Sequence, residues 1–341
     1  MQGYETLGAR LEETARGRPA MVPVCQVVAR LAEGGAEISE MVSLGGVAPR
    51  MGETASAQAD GYAQREFDLL IHDLITDALR EAPVASILSE ELGDWTLLDP
   101  DRPLTVAFEP LDDSSHLEAN LSIGTIFSIL PSNRASDALY EGGAQIAAGF
   151  FLYGPQTNLV VTLGEGVDVY TFDRRDRSWR QTRPRVMIPA GTPECAINAS
   201  NGRWGEFVRA FVDDYRNGVA EPRTETGAMR RVGALVAEAF RILMRGGVYL
   251  YPSDQQATHR GGRPRLVYEA HPIAFIMEQA GGRASTGRAR ILDVSASPPH
   301  VRAPLIFGCA DQVAFIERLL AASALREEVS PLFGRRGLFR N

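Results

Sequence analysis

The sequence contains no lysine; all 35 of its basic residues are arginine. Any anion held by a basic side chain must therefore meet a guanidinium, a planar fork that stays charged at every physiological pH. Cysteine is also scarce. Cys25, Cys195 and Cys309 lie far apart, with no CxxC spacing and no histidine-rich neighbourhood, so they support neither a disulfide framework nor a thiolate metal site and suit a reducing cytoplasm. No uncharged apolar run approaches the roughly 18 residues of a membrane span. Residues 1–10 include Glu5 and Arg10 and lack a signal-peptide core, so the expectation is a cytoplasmic protein with no membrane partner. There is no internal repeat, no low-complexity tract, no P-loop and no GxGxxG after a strand. The net charge of −8 at pH 7 argues against nucleic acid as a partner.

What the chain does have is length and patterned hydrophobicity: 341 residues, 45% of them hydrophobic, enough for one large core or two fused half-cores. Residues 6–44 show helical spacing in two blocks separated by Pro19 and Pro23. Residues 47–61 read as a mobile loop, and Phe67, Leu70, Ile71, Leu74, Ile75 and Leu79 share one face of a following helix. Short apolar runs at 84–88, 104–108, 123–130, 145–153 and 158–163 then read as strands, with 168–172 and 179–181 closing a hairpin. A second half opens with a strand at 196–199. Helices at 207–215, 231–244, 273–280 and 311–320 and strands at 247–251 and 305–308 complete it. Strands cluster early and alternate with helices later, which indicates a layered α/β or α+β protein. The expected division is 1–190, 191–322 and a frayed tail at 323–341.

Two acidic clusters each directly follow a strand: Ser89-Glu90-Glu91, and Glu109-Pro110-Leu111-Asp112-Asp113-Ser114-Ser115. Side chains at strand ends can converge on a shared pocket, and adjacent acids repel unless a cation lies between them. Carboxylates without imidazole or thiolate select hard cations such as Mg²⁺ or Mn²⁺. Pro110 stiffens the turn, so that Glu109 and Asp112 point to one side with the Leu111 carbonyl facing inward. Asp113-Ser114-Ser115 suits the start of a helix whose free N–H groups cradle phosphate. The plainer reading is a solvated strand end and an ordinary helix cap. Two such clusters after successive strands favour metal-assisted phosphoryl transfer to water.

At these residues the chain resembles class I fructose-1,6-bisphosphatases, within the lithium-sensitive, Mg²⁺-dependent sugar and inositol phosphatase superfamily. That family carries Ser-Glu-Glu, then Asp-Pro-Leu-Asp-Gly-Ser-Ser-Asn, then Ser-Ile-Gly-Thr-Ile-Phe. Here these stand as Ser89-Glu90-Glu91, Glu109 through His116, and Ser122 through Phe127. Further ordered matches include Ala148-Gly149-Phe150, Gly246 through Pro252, Leu266-Val267-Tyr268-Glu269 and Glu278 through Gly282, so the resemblance spans about residues 67–320.

The resemblance implies a layered α-β-α-β-α sandwich and removal of the 1-phosphate of fructose 1,6-bisphosphate, with sedoheptulose 1,7-bisphosphate a second substrate. It implies two or more Mg²⁺ or Mn²⁺ ions per subunit and a homotetramer. Glu90, Glu109, Asp112 and Glu269 match metal carboxylates, with the Leu111 carbonyl a further ligand and Asp73 an extra candidate. Glu91 and Asp68 match the pair that orients and deprotonates water. Asp113, Ser114 and Ser115, together with Asp112, would meet the departing phosphate. Asn198, Arg230, Tyr251 and Arg263 match positions for the sugar and second phosphate, Arg230 reaching in from a neighbouring subunit. His72, His259 and His271 read as structural or surface residues.

Three residues depart from the pattern: Glu109 for Asp, Asp113 for Gly and His116 for Asn. The resemblance leaves open a phosphatase for another sugar or inositol phosphate, or a weakened paralogue with a structural role. Pro103, Leu104 and Pro131 occupy positions that are Lys, Tyr and Arg in the AMP-sensitive animal enzymes, which implies weak or absent AMP inhibition.

Overall fold

A computed structural model describes residues 4–45, 60–92, 95–132, 140–191, 194–198, 228–230, 233–252 and 264–329. Thr6 caps the first helix by accepting from the Ala9 N–H at 3.3 Å. That helix, α1 (Leu7–Gly17), is followed by a 3-10 turn at Pro19–Met21. Pro23 then sits in the first turn of α2 (Val22–Leu44), where a missing N–H removes no helical bond. Helix α3 (Asp60–Arg80) buries Phe67, Ile71, Ile75 and Leu79 at helical spacing. Of the expected loop at 47–61, all but the last two residues lie outside the described residues, and those two begin α3; the expected helix at 207–215 lies outside them entirely.

The strands of the first half are β1 (Val84–Ser89), β2 (Thr96–Leu97), β3 (Leu104–Asp112), β4 (Ile123–Pro131), β5 (Tyr140–Glu141), β6 (Ala147–Tyr153), β7 (Thr157–Thr162), β8 (Asp168–Asp173) and β9 (Ser178–Arg183). Eight of them form one sheet in the order β2-β1-β3-β4-β6-β7-β8-β9, in which β1 and β3 run parallel and the other neighbours antiparallel. Helix α4 (Leu235–Arg245) and α5 (His271–Gln279) follow β10 (Glu194–Ile197) and β11 (Ala228–Arg230). With β12 (Val248–Tyr251), β13 (Arg283–Ser285) and β15 (Leu305–Gly308) these strands make a second sheet, β11-β10-β12-β15-β13. The short β14 (Ser295–Ala296) pairs with β5, and α6 (Ala310–Val329) closes the described chain.

Alternation along the strands decides the layers. Ile87, Val106, Phe108 and Phe127 join the core beneath α1, α2 and α3. Their neighbours Leu88, Ala107 and Ile126, with Phe150, join a second core against α4 and α5, which Tyr249 and Phe307 of the second sheet enter from the other side. Val248, Leu250 and Ile306 point the opposite way and meet Val313 and Ile316 of α6. The period of two therefore sorts each strand between two cores, and the result is the α-β-α-β-α sandwich.

The start of α4 and the end of α6 differ from the sequence expectation. Helix α4 starts at Leu235 rather than 231, because Gly233 has φ of +110° and Ala234 an extended backbone. Helix α6 runs to Val329 rather than 320. Its last turns are rich in Ala and Glu, good helix formers that carry no apolar period to read.

Helix α4 is fixed by a buried ionic cluster. Arg241 donates from Nε to Glu238 at 2.8 Å and from Nη1 to Glu194 of β10 at 3.0 Å, and Glu238 is fully buried. Removing one partner of such a cluster strands a buried charge. The N-terminus of α4 is also crowded from below. A Cβ on Gly124 of β4 would lie 2.2 Å from the Phe151 carbonyl oxygen and 2.7 Å from Val236 Cγ2. Gly124→Ala is therefore expected to cost about 3 kcal/mol through overpacking. A thermal melt should show Tm lowered by several degrees, and an unchanged Tm would refute the crowding.

Candidate active site

Because β1 and β3 are parallel neighbours, the chain leaves both at the same edge of the sheet. The acids that follow each strand are brought together there. The Ser89 hydroxyl lies 2.8 Å from His72 Nδ1 and accepts from the Glu91 N–H at 3.4 Å, so the turn carrying Glu90 and Glu91 is tied to α3. Burial lowers the His72 pKa, and His271 is pushed down to about 4 while its Nε2 meets the Val294 carbonyl oxygen at 2.9 Å. Both rings are structural. His259 lies outside the described residues.

The apolar run at 104–108 suggests a strand ending at Phe108, but β3 continues through Pro110 to Asp112. Pairing with β1 stops at Phe108, and the register against β4 shifts between Glu109 and Asp112. Such an irregularity tolerates a proline, which has no N–H to donate to a ladder. Thr125 Oγ1 donates to the Pro110 carbonyl at 2.8 Å and holds the irregular segment in place. The Leu111 side chain fills the core beneath the helices, while Glu109 and Asp112 line the cleft.

The expected helix after Asp112 is a single 3-10 turn, Ser114–His116. Asp113 precedes it with φ 59° and ψ 49°, the left-handed region. Aspartate tolerates that region better than most side chains, at a cost glycine does not incur. A left-handed residue followed by right-handed ones makes a concave nest of backbone N–H groups suited to an anion. The nest, rather than a helix, is the candidate phosphate cradle. Ser114 Oγ donates to Asp68 Oδ2 of α3 at 3.1 Å, and Ser115 Oγ donates to Asp113 Oδ1 at 2.9 Å.

Glu269 also differs in setting. Residues 266–269 read as an apolar strand ending in an acid, but Leu266–Ala270 forms a π-helical turn leading into α5. A short, wholly buried run carries no period that separates strand from helix. The turn folds back so that Glu269 Oε2 accepts from the Arg265 N–H at 2.6 Å.

A cavity of about 210 Å³ results, lined by Glu90, Glu109, Asp112, Asp113, Glu269 and Tyr251 among others. Two arginines unnoticed in the sequence, Arg265 and Arg302, complete its wall. Arg265 forms an ion pair with Glu90 and lies 2.6 Å from His300 Nδ1. Its only sequence signal is a position four residues before Glu269, which means nothing until the π turn is known. Asn198 directly follows β10, its N–H on the carbonyl of Leu250, the residue before Tyr251 in β12. Arg230 lies on the edge strand β11, Asp73 is exposed on α3, and Arg263 lies outside the described residues.

Burial is the main cause of the unusual acidity here, and mutual repulsion adds to it. Glu91 is raised to about 7 by burial, then by Glu90 and Asp68. Asp68 rises to about 6 and Glu269 to about 7, again chiefly by burial. Glu109 and Asp112 are held well above the usual carboxylate range, although two donors from the N-terminus of α4 oppose the effect at Asp112. The Val236 N–H donates to Asp112 Oδ2 at 2.8 Å, so the helix fixed by Arg241 ends on this carboxylate.

The donor set suits a hard divalent cation: oxygen ligands throughout, in carboxylates destabilised by one another. Asp68 Oδ1 is buried and has no hydrogen-bond partner among the described residues, an oxygen that a water or cation would satisfy. As the side chains stand, no three acidic, histidine or cysteine groups among the described residues enclose one point. Arg265 and backbone N–H groups occupy Glu90, Asp112 and Glu269 instead, so a cation must compete with them.

Comparison with known proteins agrees with this architecture. Residues 8–184 match the fructose-1-6-bisphosphatase N-terminal domain and residues 188–321 the C-terminal domain of that family. A class 1 fructose-1,6-bisphosphatase from Rhodopseudomonas palustris (strain BisB18) is 47% identical over 98% of both chains. One from Nitrobacter hamburgensis is 46% identical, also over 98% of both. The crystal structure of Leishmania major fructose-1,6-bisphosphatase in holo form superposes with a TM-score of 0.82 at 26% identity, covering 93% of this chain and 99% of that one. With both family domains present in order and relatives matched from end to end, the chain belongs to the class 1 fructose-1,6-bisphosphatase family.

Proposed function

We propose that this chain hydrolyses fructose 1,6-bisphosphate to fructose 6-phosphate and inorganic phosphate. The observation that carries the reading is the single cleft lined by Glu90, Glu109, Asp112 and Glu269 together with Tyr251 and the Asp113 turn. The family works with divalent metal; Glu90, Glu109, Asp112, Glu269 and the Leu111 carbonyl would hold Mg²⁺ or Mn²⁺ here, two or more ions per subunit. When bound, they supply positive charge against the phosphoryl oxygens and acidify water.

The chain's own residues do the rest. Glu91, seconded by Asp68, takes the proton of the attacking water. The water oxygen forms the new bond to phosphorus as the bond from phosphorus to sugar O1 breaks, and O1 takes up a proton from solvent water. Ser114, Ser115 and the nest of N–H groups receive the phosphoryl oxygens, while Asn198, Tyr251 and Arg263 hold the sugar and its second phosphate. Arg230 joins from a neighbouring subunit of a homotetramer; its place on an edge strand beside the exposed Met229 supports that role. A division near residue 190 is supported by its lying between β9 of the first sheet and β10 of the second. No helix among the described residues is long and apolar enough to cross a membrane; the three free, buried cysteines support a reducing, cytoplasmic setting.

Phosphate release should be measured with Mg²⁺, with Mn²⁺ and after chelation, on fructose 1,6-bisphosphate, sedoheptulose 1,7-bisphosphate and an inositol phosphate. Metal-dependent turnover of the first is the expected outcome, and no release from any substrate would overturn the reading. AMP should inhibit weakly or not at all. Leu104 pairs with Pro131 at the far end of β3 and neither side chain can bond a nucleotide phosphate, so inhibition at micromolar AMP would contradict the expectation.

A further inference from the structure

Two of the three departures from the family pattern touch each other. His116 Nε2 lies 3.3 Å from Asp113 Oδ2, while its Nδ1 faces the Ser122 carbonyl oxygen at 3.4 Å. The imidazole thus faces an oxygen at each ring nitrogen. Its third side is closed by Gly233, where a Cβ would lie 2.5 Å from His116 Cε1, 2.8 Å from Nε2 and 3.5 Å from Asp113 Oδ2. Gly233 is the approach to α4, whose Val236 N–H grips Asp112. The other Asp113 oxygen accepts from Ser115 Oγ.

We infer that Asp113 and His116 act as one unit, in which His116 is a positioning residue for the Asp113 carboxylate. A free carboxylate at a left-handed position beside a phosphate nest repels the ligand the nest is shaped to hold. Anchored by His116 against Gly233, it stays at the cleft wall, and Ser115 is oriented by it. The substitution of His for Asn compensates that of Asp for Gly: the imidazole has a negative side chain to restrain, whereas the Asn of the family pattern stands three residues after a glycine that has none. The inference rests on the reading of residues 113–115 as the phosphate-receiving turn.

The test is a double-mutant cycle read by KM for fructose 1,6-bisphosphate and by inhibition with inorganic phosphate. His116→Asn in the native background should raise KM and the phosphate inhibition constant about tenfold, with the effect in KM rather than kcat. In the Asp113→Gly background the same change should cost less than twofold, since no carboxylate is left to stray. His116→Gln, whose amide can still donate to Asp113, should retain most of the native KM. Its retention also separates positioning from folding, as do matched Tm values for all variants. Equal cost of His116→Asn in both backgrounds, or no cost in either, overturns the pairing. Ser115→Ala tests the turn itself. If it leaves phosphate inhibition unchanged while the cycle remains coupled, the turn is misassigned and the pair stands; an effective Ser115→Ala with an additive cycle means the reverse.

Discussion

Glu91→Gln is expected to lower kcat by about 10²–10⁴-fold while leaving KM within a few-fold of its native value, because the isosteric amide cannot accept a proton. Glu91 is distinguished from the other acids of the cleft by its position. Glu90 is paired with Arg265, and Asp112 accepts from α4, whereas Glu91 lies next to Asp68, in a partly buried pocket that raises its carboxyl to about 7. A carboxyl titrating near neutrality is ionised often enough to act and basic enough to hold the proton of a water. Asp68 is the natural second member. Ser114 fixes its Oδ2, and its buried Oδ1 remains for the water. The two single variants, Glu91→Gln and Asp68→Asn, should therefore fall short of additivity when combined, as members of one proton-accepting unit do. The acid limb of the native kcat/KM profile should also weaken in Glu91→Gln. Steady-state kinetics over pH 5.5 to 9 decides the matter, and retention of more than a tenth of native kcat would remove Glu91 from this role.

The second large effect is on stability, through the same acids. Glu91 and Glu269 titrate near 7 in the folded chain, and Glu109 and Asp112 are shifted in the same direction. Unfolded carboxyls titrate near 4. A carboxyl raised on folding favours the folded state most below its unfolded pKa, and that contribution is lost as pH rises through the folded value. The metal-free protein should thus lose stability from these groups between about pH 4 and somewhat above pH 7. His72 and His271, held neutral by burial, act in the opposite sense: their contribution is present above about 6.5 and is lost as pH falls toward the folded value. A bare curve of Tm against pH mixes the two. The increment on adding Mg²⁺ separates them, since the cation binds the deprotonated carboxylates and must compete with protons at low pH. Millimolar Mg²⁺ should raise Tm several degrees more at pH 8.5 than at pH 5.5, and Glu269→Gln should shrink that difference. An equal increment at both pH values would mean that the raised carboxyls are not the cation site.

How much of this could be read from residues alone varies by feature, for physical reasons. Strands β1, β3, β4, β6 and β7 were visible because nearly all their residues are buried, so each appears as an apolar run between turn residues. Their ends were less visible. Pro110 seemed to close β3, yet where one side of a strand has lost its partner a missing N–H does no harm, and the strand runs on. The segment at 266–269 looked like a strand because burial on all sides erases periodicity, and only the path into α5 shows a π turn. Arg265 and Arg302 carried no signal because an arginine next to apolar residues is ordinary until the pocket it faces is known.

The sequence by itself determined the chemistry available: carboxylates in two clusters after successive strands, oxygen donors suited to a hard cation, and guanidinium as the only basic group besides histidine. Residue type and local spacing are enough for that, because ligand preference is a property of the side chain. Only the tertiary structure decided which acids share one space, since their meeting depends on β1 and β3 being parallel neighbours and on α4 ending over Asp112. It also decided that Asp113 and His116 form a contact at all. Three residues apart, they meet through a left-handed turn closed by the distant Gly233, and pairings of that kind are fixed by packing between segments far apart in the chain.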